Sequence, residues 1–155
     1  MKLVIIRHGE AGKATSDELR ELTDKGRAEA GRLAKAMGRT DFKGAEIWHS
    51  GFVRAEQTAQ ILAAELRLEY AMSVHPMLEP MGDPLAVMEG LVGRTKDLIL
   101  VGHMPFMGKM ASQLLGREGQ PSLDFATGSA ACFRPPVIEG AGWRLMWHMD
   151  PDLLE

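Results

Sequence analysis

Two apolar runs in this chain, Leu3-Val4-Ile5-Ile6 and Leu98-Ile99-Leu100-Val101, show no alternation of hydrophobic and polar positions. Strands that read as unbroken Val/Ile/Leu runs are buried on both faces, as in parallel sheets covered by helices. Glu46-Ile47-Trp48-His49 reads as a third strand and Tyr70–Val74 as a weaker fourth. Between these runs the period lengthens. Ala28, Leu33, Ala34 and Met37 recur at helical spacing behind Thr23, a residue suited to cap a helix. Phe52, Ala55, Ala59, Leu62 and Leu66 form a second stripe, with Ser50 as the expected N-cap. A loop carrying Pro76, Pro80 and Pro84 leads into a short helix expected from Asp83 or Pro84 to Leu91 or Val92. Another helix is expected to begin near Pro105, with Phe106, Met107, Met110, Leu114 and Leu115 on its apolar side and Gly116 at its end. Residues 9–22 are polar and read as a long loop, with Ser16-Asp17-Glu18 as a solvated turn. The last third holds two strand-like runs, Ser129–Arg134 and Trp143–His148, expected to pair antiparallel. Strand–helix alternation with a β-rich tail predicts an α/β fold, a three-layer α/β/α sandwich around a mainly parallel sheet.

Composition narrows the setting. A length of 155 residues predicts one domain spanning 1–155, with no spare segment for a large lid over a pocket. The net charge of -3 argues against broad nucleic-acid binding. Cys132 is the single cysteine and sits in the apolar run Ala130-Ala131-Cys132-Phe133, so it is expected to be a buried hydrophobe in a reducing, cytoplasmic protein. Leu3–Ile6 is shorter than the ~7–15 apolar residues of a signal peptide. No uncharged apolar run approaches the ~18 residues of a membrane span, so no membrane partner is expected.

The polar residues at the strand ends carry the candidate chemistry. One strand runs into Arg7-His8-Gly9, another into Gly102-His103-Met104-Pro105, and a third into Ser50, with Arg54 in the following helical turn. In a parallel sheet all three open on the same edge, where ligands of α/β proteins bind. Arginine matches a phosphate with two parallel N–H donors, and a helix N-terminus favours an anion. A neutral imidazole beside guanidinium groups is a competent nucleophile toward phosphorus, and two arginines with a second histidine stabilise spreading negative charge. No HExxH and no Cys or Asp/Glu cluster accompanies the histidines, so the site is expected to work without a metal or other cofactor. Taken alone, Arg7-His8 reads first as an ordinary strand end with Arg7 pairing a surface carboxylate. His103 and Arg54 in matching contexts favour the phosphate site. His49, His75 and His148 read as structural or surface histidines, whereas Met104 and Met107 are candidates for a protein-docking rim beside His103.

Leu3-Val4-Ile5-Ile6-Arg7-His8-Gly9-Glu10 resembles the signature of the histidine phosphatase superfamily, which also contains the phosphoglycerate mutases. Arg20-Glu21-Leu22-Thr23-Asp24-Lys25-Gly26, Ser50-Gly51-Phe52-Val53-Arg54-Ala55-Glu56-Gln57-Thr58-Ala59 and Val101-Gly102-His103-Met104-Pro105 narrow the resemblance to SixA-type phosphohistidine phosphatases. The matches run in order to about residue 113, with a weaker echo in Thr127-Gly128-Ser129-Ala130 and Trp147-His148-Met149. The resemblance implies a phosphoglycerate mutase-like fold and a phospho-His8 intermediate. It further implies that Arg7, Arg54 and His103 bind the phosphoryl group and that Arg20 lines the site. Broad-specificity members of the superfamily use an acidic residue after the central helix to protonate an alkoxide. Glu79 in Leu78-Glu79-Pro80 is the candidate here, although SixA-like members generally lack a firm equivalent; Asp83 reads as a helix cap. The implied substrate is a phosphohistidine-bearing protein such as a histidine phosphotransfer domain. A small phosphate ester, or phosphate binding without turnover, remains the alternative.

Overall fold

The computed structural model describes residues 1–120 and 122–155. Six strands form one sheet in the order β3-β2-β4-β1-β5-β6: β1 (Leu3–Arg7), β2 (Glu46–His49), β3 (Met72–Val74), β4 (Leu98–Gly102), β5 (Ala130–Arg134) and β6 (Arg144–Met149). The first four run parallel, so their carboxyl ends share one edge. The tail adds β5 antiparallel to β1 and β6 antiparallel to β5, as the two runs of the last third predict. The expected strand at Tyr70–Val74 is shorter, because Glu69–Ala71 coils into a 3-10 turn before it.

Among the described residues four α-helices complete the layers: α1 (Asp24–Met37), α2 (Val53–Leu66), α3 (Pro84–Leu91) and α4 (Phe106–Leu114). Alternate residues of the unbroken apolar strands point to opposite faces, and each face is covered. Val4, Ile6, Ile99 and Val101 pack under Leu33 and Met37 of α1 and Ala59 and Leu62 of α2. Leu3, Ile5, Leu98 and Leu100 pack under Val87 and Leu91 of α3 and Phe106 and Met110 of α4. This double burial is why the strands carry no polar alternation. Cys132 is buried in the first of these cores, and burial pushes its thiol up to about 11. Among the described residues, no helix is long and apolar enough to cross a membrane.

The ends of the helices follow local chemistry. Thr23 caps α1 by accepting from the Gly26 N–H at 3.0 Å, and Asp83 caps α3 by accepting from Leu85 N–H at 2.9 Å. Ser50 is not the cap of α2. The helix starts at Val53 after Phe52, so Ser50 lies too far upstream; its hydroxyl accepts from Phe52 N–H at 3.2 Å and turns toward His103. Two glycines set the approach of α1 to the loop after β1. A Cβ on Gly26 would lie 2.0 Å from the Glu10 carbonyl oxygen, and one on Gly9 would lie 2.4 Å from that of Gly26. No larger residue fits either position.

Candidate active site

Strand β1 ends at Arg7 and hands over to His8, whose amide donates to the Gly102 carbonyl at the end of β4 at 2.9 Å. Backbone pairing thus holds His8 against the end of β4, where His103 follows, and the two rings lie 5.0 Å apart, centroid to centroid. His8 Nδ1 lies 2.7 Å from the Gly9 carbonyl oxygen, which can only accept, so the proton sits on Nδ1. Its Nε2 accepts from Arg54 Nε–H at 3.1 Å. One ring nitrogen is therefore protonated and the other keeps its lone pair.

The surroundings favour that neutral form. Burial first, then the charges of Arg54, Arg7 and Arg20, bring His8 down to about 4, against the opposing Gly9 hydrogen bond. His103 is brought down to about 3 by burial, then by His8 and Arg54. Both imidazoles are neutral at pH 7. The unfolded chain takes up protons at these positions below its ordinary value of 6.5, which the folded histidines refuse until about 4 and about 3. The stability they confer is thus fully present above about 6.5 and is lost as pH falls through their folded values. A His8→Asn variant is expected to show a shallower loss of stability between pH 6.5 and 4 than wild type in denaturant titrations at stepped pH. One such group contributes a slope of at most about 1.4 kcal/mol per pH unit.

Around the histidines stand three arginines. Arg54 is buried in the first turn of α2, its guanidinium 5.2 Å from the Phe52 ring, and Phe52 also packs against His103 at 4.8 Å. Arg7 donates from Nη1 to the Phe125 carbonyl at 2.7 Å, while its Nε is buried without a hydrogen bond among the described residues. Arg20 donates from Nε to the Gly12 carbonyl at 2.8 Å and from Nη1 to Asp17 Oδ1 at 3.1 Å. His103 Nε2 lies 2.7 Å from Ser50 Oγ, and its Nδ1 is buried and unpaired among the described residues. Glu79 follows Leu78, whose carbonyl oxygen approaches Gly102 closely, so it stands at the same sheet edge. Its backbone pairs with Pro76 and Gly82, and among the described residues its side chain makes no hydrogen bond to the histidines or arginines. No group of three or more His, Cys, Asp or Glu residues is placed to hold a metal among the described residues.

Several residues that hold this arrangement escaped the sequence reading. Thr58 lies one turn after Arg54, accepts from Gly9 N–H at 3.1 Å and donates to the Arg54 carbonyl at 2.8 Å, tying α2 to the His8 loop. Buried Glu29 accepts from Glu10 N–H at 3.0 Å and from Thr127 Oγ1 at 2.7 Å, joining that loop to the turn before β5. Spacing offered a signal for Thr58, four residues beyond Arg54; nothing local marked Glu29. Asp17 is not a free solvated turn residue, because it contacts both Arg20 and Arg54. Slight burial pushes its carboxyl up, yet hydrogen bonds from Arg20 and Arg54 hold it below the usual carboxylate range. Met107 also departs from expectation: it is fully buried beneath Gly102, leaving Met104 to line a groove of about 910 Å³ with Leu85, Pro105 and Leu123.

Both the chain and its fold have known relatives. A family model described as histidine phosphatase superfamily (branch 1) matches residues 3–79. Phosphohistidine phosphatase SixA of Escherichia coli (strain K12) is 30% identical over 156 residues, covering 97% of this chain and 94% of that protein. The chain belongs to the histidine phosphatase superfamily. A phosphohistidine phosphatase SixA homolog of Haemophilus influenzae is 30% identical over 139 residues, covering 82% of this chain and 85% of that protein. The solved structure of the protein histidine phosphatase SixA complexed with tungstate superposes with a TM-score of 0.84 at 28% identity, covering 98% of both chains. Membership of the superfamily accords with the phosphoglycerate mutase-like expectation, and the near-complete coverage leaves no large inserted lid in this chain.

Proposed function

We propose that this protein is a phosphohistidine protein phosphatase working through a phospho-His8 intermediate. The observation that carries this reading is the fixed tautomer of His8: Nδ1–H is tied to the Gly9 carbonyl and the Nε2 lone pair faces the Arg54 guanidinium. In the first displacement His8 Nε2 forms a bond to phosphorus as the substrate's P–N bond breaks, and the departing imidazole takes its proton from solvent. In the second, a water oxygen bonds to phosphorus, the His8 Nε2–P bond breaks, and the water proton passes to solvent or to the released phosphate.

Arg7, Arg54 and Arg20 would hold the phosphoryl oxygens, and their charges oppose the negative charge that spreads over them in transfer. Ser50 Oγ already accepts from Phe52 N–H; by donating its own hydrogen to His103 Nε2 it leaves the His103 hydrogen on Nδ1, as a donor beside His8. No step needs a cofactor. The phosphohistidine substrate is supported by the curated relatives and by the solved relative's tungstate, a tetrahedral oxyanion of phosphate shape. A histidine phosphotransfer domain in the cytoplasm is the partner that fits, and the groove beyond Met104 offers apolar surface next to the site.

A small-ester phosphatase on the same site is the second reading, favoured only by Glu79 standing at the sheet edge. An alkoxide needs a positioned acid to leave, whereas an imidazole protonated from solvent does not. Glu79→Gln is therefore expected to change phosphate release from a phosphohistidine protein by less than about twofold, checked by steady-state release with and without chelator. A loss of about 10²-fold on a small phosphate ester, with the ester the better substrate of the wild type, would assign Glu79 the acid role and favour ester chemistry.

A further inference from the structure

The segment between β1 and α1 is a closed, tied loop whose tip reaches into the arginine ring. Ala11 bridges Leu22, Gly12 N–H donates to the Glu21 carbonyl at 2.9 Å, and Arg20 grips the Gly12 carbonyl from within. Asp17 opens a 3-10 turn (Asp17–Leu19) at the tip of this loop. Arg54 donates from Nη1 to the Asp17 carbonyl at 2.6 Å and from Nη2 to Asp17 Oδ2 at 3.2 Å, while Arg20 Nη1 holds Oδ1 at 3.1 Å. With Nε on His8, all three nitrogens of Arg54 are engaged, two of them by one aspartate.

A carboxylate spread across two guanidinium groups makes the kind of contact a phosphoryl group makes. A phosphoryl dianion seated on the same fork competes with it for Arg54 Nη2 and Arg20 Nη1, and the two anions carry like charge. The contact is also readily broken. Arg54's side chain is 4% exposed but Asp17's is 54% exposed, so the carboxylate has water to turn to.

We infer that Asp17 is an internal carboxylate competitor that an incoming phosphoryl group must displace from Arg54 and Arg20. The inference rests on the reading of these arginines as the phosphoryl site. The displacement costs every phosphoryl ligand the same free energy, so it lowers all their affinities by one factor. A phosphohistidine protein makes up that loss with contacts over its surface, whereas free phosphate has only its oxygens. The residue thereby weakens retention of the product.

The test is equilibrium binding of inorganic phosphate and of tungstate to the full chain by calorimetry, at fixed pH and salt, in wild type, Asp17→Asn and Arg54→Lys. Asparagine keeps the shape and removes the charge at a half-exposed position, and circular dichroism checks that the variants fold. Binding is expected to tighten about five- to tenfold in Asp17→Asn and to weaken in Arg54→Lys. The kcat/KM for a small aryl phosphate and that for a phosphohistidine protein should both rise by a similar factor in Asp17→Asn, because both substrates displace the same carboxylate. Unchanged or weaker oxyanion binding in Asp17→Asn, with Arg54→Lys still weakened, overturns the inference alone and makes Asp17 a support for Arg54. No oxyanion binding to wild type or Asp17→Asn overturns the inference together with the phosphoryl-site reading beneath it.

Discussion

A His8→Ala variant is expected to release no measurable phosphate from a phosphohistidine protein, a loss of about 10⁴-fold or more in turnover. Among the described residues His8 is the imidazole whose Nε2 meets an arginine N–H while its Nδ1 faces a carbonyl oxygen. His103 sits 5.0 Å away but is committed through Nε2 to Ser50, so it cannot take over as nucleophile without breaking that pair. The variant leaves the arginines in place, and tungstate binding should survive within about tenfold. Survival of binding with loss of turnover separates a missing nucleophile from a collapsed site. Acid-labile phosphorus on the wild-type chain, located to His8 by mass spectrometry and absent from the variant, gives the same answer independently.

The second large effect is expected at Arg54. Lysine at this position keeps a charge but loses the planar fork, so it cannot contact His8 Nε2 and two phosphoryl oxygens at once. Arg54→Lys is expected to lower kcat about 10²- to 10³-fold on a phosphohistidine protein, the scale for loss of one preorganised donor to developing charge. Arg54→Ala goes further, because removing the charge also lets the His8 value rise from about 4. The acid limb of the pH–rate profile should therefore move upward in Arg54→Ala and much less in Arg54→Lys. Equal profiles in both variants would mean that Arg54 acts on His8 through geometry alone.

The elements most legible in the sequence were those whose signal is local or periodic. Leu3–Ile6 and Leu98–Val101 announced a sheet buried on both faces because each has helices on either side. The strand-end residues were legible for the same reason: once the strands are parallel, Arg7, His8, Ser50 and His103 must share an edge. Thr23 and Asp83 carried their caps in the residue types themselves. What stayed hidden depends on tertiary contact. Asp17 looks solvated until the loop folds over α2, and Glu29 looks like an ordinary surface glutamate until two amide and hydroxyl donors from distant segments converge on it. Ser50 was placed correctly at the site but for the wrong purpose, since a hydroxyl just ahead of a helix is a cap by default and becomes a histidine partner only through β4. Met107 and Met104 are indistinguishable by composition, yet the turn into α4 buries one under Gly102 and leaves the other on the groove.

The measurement that tests the central claim most directly is kcat/KM for phosphate release by the chelator-treated protein from a phosphorylated histidine phosphotransfer domain, beside that from a small aryl phosphate. A preference of about 10²-fold or more for the phosphohistidine protein, undiminished by chelation, is the predicted result. Preference for the aryl phosphate, or activity that returns only when metal is restored, would contradict it.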